Sequence, residues 1–358
     1  MKVTLEGSAF RDAMKTVAIL FDAEAEVLAT SDPTTGRLVL EAGRNGVYAK
    51  QALEANVEEA GQIVLSCAHF AQLSFSDQVY LEADGKHVSF KSGKFKGTVA
   101  GSSDGEAIEA SRPEKAFKAK VVVPTDVFRS AVARVSFGSA LPGAQAGIRI
   151  QASDKLTLST TDGYRATIFK EQLAVAQTEF DVLLQPAFLH TALSRVKDME
   201  VGLGCFKGTF RMKTDILDVY HPAIQSPPDD IEEWITNGID YDKRECIVQS
   251  TAEELSKVIR EVSSIHMGAV AYDTYVDFLV KGGRVHLRCE ADHGTAQTSL
   301  ALQSTSVEKY MTKISSRYAL EMLNLVKAGD VEISFWDSFL LITGASGKFR
   351  ALIPTVAA

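Results

Sequence analysis

The sequence predicts an α+β chain of three tandem domains, each made of two strand-helix-strands halves. Two kinds of internal repeat, separated by polar joints, carry that expectation. Val3-Thr4-Leu5 followed by Phe10-Arg11-Asp12-Ala13-Met14-Lys15-Thr16-Val17 returns 118 positions later as Val121-Val122-Val123 and Phe128-Arg129-Ser130-Ala131-Val132-Ala133-Arg134-Val135. A looser third copy runs from Ile247-Val248 to Leu255-Ser256-Lys257-Val258-Ile259-Arg260-Glu261-Val262. The second marker, Gly93-Lys94-Phe95-Lys96-Gly97-Thr98-Val99, recurs as Cys205-Phe206-Lys207-Gly208-Thr209-Phe210 and more faintly as Lys348-Phe349-Arg350-Ala351-Leu352. Chance likeness between short apolar stretches is the alternative reading.

Each copy opens on a β-branched strand, passes through a polar turn able to cap a helix, and continues with apolar residues at helical spacing. A second strand and helix lies between the two markers: Ile63-Val64-Leu65 with Ala68 to Leu73, Val182-Leu183-Leu184 with Ala187 to Lys197, and Lys313-Ile314 with Tyr318 to Lys327. Strands follow at Val79-Tyr80-Leu81, Val201-Gly202-Leu203 and Val331 to Phe335, and the second marker closes each domain as a hairpin. Polar stretches at 102–114 and 225–230 are the joints. Domains are therefore expected at 1–118, 119–226 and 227–358. Residues 225–245 form a connector with a short helix at Ile231-Glu232-Glu233-Trp234.

Composition narrows the function. With 358 residues, 46% hydrophobic and 23% charged, the chain can build several cores. No apolar run approaches the ~20 residues of a membrane span, and the opening residues read as a strand, so a cytoplasmic location is expected. Cys67, Cys205, Cys246 and Cys289 show no CxxC spacing, as expected of free thiols. A net charge of −8 argues against coating nucleic acid through the whole surface, without excluding a local basic face.

Motifs that carry catalytic mechanisms are missing. The sequence holds no P-loop, GxGxxG, HExxH, GxSxG or paired CxxC, and neither cofactor nor metal is expected. His266, His286 and His293 with Asp292 hint at a metal cluster, but Arg284-Val285-His286-Leu287-Arg288 alternates as a strand, and solvated histidines are the plainer reading. Asp162, in Thr160-Thr161-Asp162-Gly163-Tyr164-Arg165, could serve as a catalytic carboxylate, yet no second acid or His is placed to assist it. A turn, with Gly163 supplying φ > 0, is the local reading.

Cations gather on the expected helices: Arg11 and Lys15 four apart on one face, then Arg129 and Arg134, Arg195 and Lys197, Lys257 and Arg260, and Lys327. The six helices total +4, leaving −12 for everything else. Helices facing a polyanion would produce this contrast; so would ordinary solvated helix faces.

Taken together, the three tandem domains and the Thr161-Asp162-Gly163-Tyr164-Arg165 segment resemble the bacterial sliding clamp, the β subunit of DNA polymerase III, whose middle domain carries an ATDGHRLA-like signature. Leu217-Asp218-Val219-Tyr220-His221-Pro222 falls where that family has a DGRFPDY-like stretch, and Arg350-Ala351-Leu352-Ile353-Pro354 where it ends in a VVMP-like strand. The resemblance spans the whole chain. It implies two βαβββ halves per domain and a head-to-tail homodimer forming a ring, helices lining the hole and sheets outside. Such a ring encircles duplex DNA without sequence preference, tethers the polymerase and performs no chemistry itself.

The resemblance further implies that polymerase and clamp loader insert short peptides with an apolar end between the second and third domains. Lining residues would be Thr161, Gly163, Tyr164, Arg165 and Ala166, then Pro222 and Ile224, then Leu352, Ile353, Pro354, Thr355 and Val356. Ile353→Asp would on this view weaken peptide binding while leaving the ring assembled. The DNA-facing cations would be Arg11, Lys15, Arg129, Arg134, Arg195, Lys197, Lys257, Arg260 and Lys327. Tyr164 for the usual His, Ala166 for Leu and a tail without the usual methionine, basic residue and terminal leucine mark a divergent member, as a phage- or plasmid-encoded clamp would be. A β-rich assembly protein without a DNA role, or an enzyme using Asp162 and Arg165, are the rival readings.

Overall fold

The computed structural model describes residues 1–358 except 23, 76, 114–116, 118–120, 137–146, 174–178, 225–229, 267–273, 293, 327 and 357–358. Its elements repeat one order, a strand, a helix and then three strands. The first repeat comprises β1 (Lys2–Glu6), α1 (Gly7–Leu20), β2 (Glu26–Asp32), β3 (Arg37–Arg44) and β4 (Val47–Glu59), then β5 (Gly61–Ser66), α2 (Cys67–Phe70), β6 (Gln78–Ala83), β7 (His87–Ser92) and β8 (Phe95–Ala100). After α3 (Glu106–Ala110) come β9 (Val121–Pro124), α4 (Thr125–Val135), β10 (Ile148–Ala152), β11 (Lys155–Thr161) and β12 (Ala166–Gln172), then β13 (Phe180–Leu184), α5 (Pro186–Arg195), β14 (Glu200–Phe206), β15 (Thr209–Lys213) and β16 (Leu217–Pro222). The connector holds α6 (Ile231–Glu233), a π-helical turn at Trp234–Gly238 and a 3₁₀ turn at Tyr241–Lys243. The third repeat is β17 (Cys246–Thr251), α7 (Ala252–Ser263), β18 (Tyr275–Lys281), β19 (Arg284–Ala291) and β20 (Gly294–Ala301), then, past the two-residue β21 (Ser304–Thr305), β22 (Lys309–Ser315), α8 (Ser316–Val326), β23 (Asp330–Phe335), β24 (Phe339–Gly344) and β25 (Phe349–Val356).

Local chemistry explains these elements. In α1, Phe10, Ala13, Met14 and Val17 are buried at helical spacing, and Phe10 meets Phe70 edge-on at 5.6 Å between ring centroids. Thr251 caps α7 by accepting from the Glu254 amide at 3.3 Å, and its hydroxyl donates to the Glu254 carboxylate at 3.0 Å. Pro186 opens α5, where its missing N–H costs nothing. Between Phe206 and Thr209 the β14–β15 hairpin turns on Lys207 and Gly208 alone, both at positive φ (47° and 74°), the twist that two-residue hairpins favour.

Helix bounds differ from expectation in two places. The helix expected from Ala68 to Leu73 closes after Phe70 and continues only as a turn, with the Leu73 amide on the Phe70 carbonyl at 3.3 Å. At α5, Val196 is extended, so Lys197 lies beyond the helix that was expected to carry it.

The chain packs as two compact units, Met1–Arg129 with Val175–Gln225, and Ser130–Ala174 with Ser226–Ala358. In the first, one sheet runs β8-β7-β6-β1-β4-β16-β15-β14-β9, with β3, β2 and β5 branching from β4. First and second repeats meet there by strand pairing, Tyr48 opposite Tyr220 and Gln51 opposite Leu217. In the second unit the order is β10-β11-β12-β25-β22-β18-β19-β20, with β24, β23 and β17 branching from β25. Pairing of Ala166 with Leu352 and of Phe169 with Phe349 joins the middle repeat to the last.

Candidate functional site

The signature turn connects β11 to β12 and is locked by its own side chains. Asp162 Oδ1 accepts from the amides of Tyr164 (3.0 Å) and Arg165 (2.7 Å), while Thr161 Oγ1 accepts from the Gly163 amide (3.0 Å) and donates to the Arg165 carbonyl (2.7 Å). Gly163 sits at φ +85°. Arg165 turns inward: it is 2% exposed, its Nε donates to Asp162 Oδ2 at 2.8 Å, and its Nη1 donates to Glu321 on α8. Tyr318 lies under the guanidinium with its ring centroid 4.2 Å from Cζ, and Arg317 holds the other Glu321 oxygen at 2.9 Å. Tyr164 points the other way, 71% exposed.

Ala166 and Leu352, side by side across β12 and β25, are buried in a small cluster with Ile168, Ile231, Ile235, Ile239, Trp336 and Leu341. Ile353 is fully buried and Thr355 nearly so, Pro354 is half-buried and Val356 is exposed. Pro222 and Ile224 belong to the first unit, where Pro222 is exposed at the end of β16 and Ile224 bridges Leu183 of β13. His221 beside them stacks on Phe188 at 4.0 Å, and burial holds its imidazole below the usual histidine range.

The cations take distinct environments. Arg129 is spent on the end of α5, donating to the carbonyls of Leu193 (3.1 Å), which also accepts from the Val196 amide, and of Val196 (2.8 Å). Lys197 pairs with Asp12 at 3.1 Å. Arg134 donates to Ser130 and lies over the Phe169 ring, and desolvation lowers its basicity. Arg11, Lys15 and Arg195 are half-buried, whereas Lys257 and Arg260 stand exposed on α7. Lys327 and His293 lie outside the described residues.

Sequence reasoning missed Glu321 and Tyr318, whose only signal was the Arg317–Glu321 spacing of four on a helix. It also missed the part played by Ile235 and Ile239, which continue the apolar spacing of Ile231. All four thiols are free, and burial pushes Cys67 up to about 12 and Cys246 up to about 11, values that keep a thiol protonated and unreactive. Among the described residues, no group of three His, Cys, Asp or Glu side chains could hold a metal, and no helix is long and apolar enough to cross a membrane.

No protein-family profile matches the sequence, and no curated protein matches it. Solved structures do. The DNA polymerase β subunit of Streptococcus pyogenes superposes with a TM-score of 0.84 at 16% identity, covering 100% of both chains. The DNA polymerase sliding clamp of Bacillus subtilis gives 0.83 at 15% identity, covering 100% of this chain and 99% of the other. For the DNA polymerase III β subunit of Thermotoga maritima the values are 0.82, 14%, 100% and 99%. From end to end, the chain has the sliding-clamp fold of bacterial DNA polymerase III β subunits.

Proposed function

We propose that this chain is a DNA sliding clamp, a non-enzymatic ring of three-domain subunits that encircles duplex DNA in the cytoplasm and tethers a polymerase. The observation that carries the reading is the repeated strand-helix-strands order, which matches a solved clamp over 100% of both chains. The three domains are those of the repeats, 1–118, 119–226 and 227–358. A ring holds DNA topologically, so phosphate attraction need only be modest and the subunit can slide. This suits a chain whose net charge is −8 and in which Lys197, just past α5, is paired with Asp12 of α1.

A head-to-tail dimer is supported by two end strands, β8 in the first unit and β20 in the second. An unpaired strand edge is a ready template for another chain. On the first, Lys96 stands directly opposite Lys91 of the neighbouring β7, a repulsion that an acidic partner relieves, with the exposed Lys94 and the 44%-exposed Phe95 beside them. The β19–β20 hairpin offers exposed Glu290 and Asp292. Such a heterologous contact closes into a ring when two copies complete the rotation. Solution mass with negative-stain electron microscopy tests this: a dimeric ring is expected, and Phe95→Asp with Lys96→Glu weakens its assembly at least roughly tenfold. Monomers without a hole, with or without DNA and loader, would favour the assembly-protein reading.

Peptides of polymerase and loader are proposed to bind where the signature turn meets the last strand, using Thr161, Gly163, Tyr164, Ala166, Leu352, Pro354 and Val356. Burial of a few apolar anchors would supply most of the affinity. For DNA, Lys257 and Arg260 are the exposed cations on α7. Replacing both by Ala is expected to lower the slope of log retention against log salt by about 2 per subunit, roughly 4 for the dimeric ring. An unaltered slope in a nitrocellulose or sedimentation assay would remove α7 from the DNA face.

A further inference from the structure

The connector lies on the very residues that the peptide reading needs. Ile231, Ile235 and Ile239, at intervals of four, are 4%, 1% and 7% exposed, and they share a cluster with Ala166, Leu352, Leu341 and Trp336. Regular backbone pairing does not hold this segment down. It consists of one α turn, a π turn and a 3₁₀ turn, none paired in a strand ladder, and π turns inside helices often mark functional positions.

Side chains fasten it instead. Asp230 caps α6 by accepting from the Glu233 amide at 2.9 Å and faces Arg149 at 3.4 Å, and Lys170 of β12 holds Glu232 at 2.5 Å. Beyond the π turn, the Tyr241 hydroxyl donates to the Ile235 carbonyl at 2.8 Å, and Trp336 Nε1 donates to the Asp240 carbonyl at 2.9 Å. Trp336 is clasped between Tyr241, edge-on at 5.7 Å, and Phe339, stacked at 4.8 Å. The Lys170 and Glu232 side chains are 27% and 29% exposed, so water and salt reach this latch.

We propose that residues 230–243 form a strap that occupies the Ala166–Leu352 face in the free protein and swings aside for an apolar partner peptide, making the clamp partly self-inhibited. The inference rests on the peptide-binding reading above. A peptide that binds only the open form has its dissociation constant multiplied by the inverse of the open fraction. Anything that loosens the strap without touching the face therefore tightens binding, the opposite of what loss of a contact residue does.

The test uses the full chain and a fluorescein-labelled octapeptide ending in Leu-Phe. The chain contains two tryptophans, Trp234 on the strap, 45% exposed, and Trp336 beneath it, 5% exposed. Intrinsic emission thus reports strap opening without a label on the protein. Saturating unlabelled peptide is expected to red-shift that emission in step with binding. Ile235→Ala with Ile239→Ala is expected to tighten binding about tenfold. Should that variant fold poorly, Lys170→Gln with Glu232→Gln leaves the apolar seat intact and is expected to tighten it about threefold. Unchanged or weaker affinity in folded variants, with unshifted emission, overturns the strap and confines a bound peptide to the exposed Tyr164 and Val356. Failure of wild type and variants alike to bind the peptide overturns both, while the ring is judged separately by its mass.

Discussion

Ile353→Asp is expected to destabilise the second unit by about 4 kcal/mol or more, with peptide binding and ring assembly weakened as consequences. Ile353 is 0% exposed and sits in β25, the strand that pairs with β12, β22 and β24. Its opposite number, Leu340, is 1% exposed, so a carboxylate introduced here meets neither water nor a cation. A penalty of this size consumes much of the 5–15 kcal/mol that stabilises an ordinary domain. Sequence alone led to a different expectation, a pocket-wall substitution that spares the ring. The difference comes from strand alternation in a doubly covered sheet: Leu352 goes beneath the connector and Ile353 into the opposite face. Far-ultraviolet circular dichroism with a thermal melt decides the matter. A variant that melts like wild type would show Ile353 to be solvent-facing, contrary to its burial. Val356, 43% exposed, is the better place to probe a peptide.

How much was legible follows from the range of each interaction. Strands, helices and hairpins of the three repeats are set by residues within a few positions of one another, such as Thr251 with Glu254 or Lys207-Gly208. Those signals survive in the sequence, and the repeats reinforce them. The signature turn was legible for the same reason, since Thr161 and Asp162 bond groups two to four residues away. Arg165 was legible as a position and not as an environment. An arginine in a polar turn is by default solvated, and the carboxylate that draws it inward, Glu321, lies 156 residues further on. Arg129 shows the same limit: it reads as a helix cation available to phosphate, yet it donates to carbonyls 64 and 67 residues away. In the connector, the Ile231, Ile235 and Ile239 spacing was visible, but Asn237-Gly238 is a turn signal and the expected helix was ended at Trp234. In the structure those residues complete a π turn instead, with Trp234 lying over the Gly238 backbone, where an added Cβ would come within 2.6 Å of its ring.

Arg165→Ala is expected to destabilise the second unit by about 3–5 kcal/mol, because it leaves the 0%-exposed Asp162 side chain buried beside no cation. Arg165→Lys keeps the charge but loses the planar fork that spans Asp162 and Glu321 and stacks on Tyr318, and a smaller loss of about 1–2 kcal/mol is expected. Asp162→Asn retains an oxygen for the Tyr164 and Arg165 amides, so the turn survives while the ion pair does not. Urea denaturation of Arg165→Ala, Glu321→Ala and the double variant forms a cycle that isolates the Arg165–Glu321 coupling. A coupling near zero, or an Arg165→Ala protein as stable as wild type, would mean that the arginine is held for another purpose. If the coupling is large, the signature segment has two divided tasks. Arg165 faces inward and binds α8 to the turn, and Tyr164, carried on that turn, is exposed and is the side chain proposed to meet a partner. Loss of peptide binding in Arg165→Ala would then report a disordered turn rather than a missing contact, and only Tyr164 variants of unchanged stability can measure what the segment contributes to recognition.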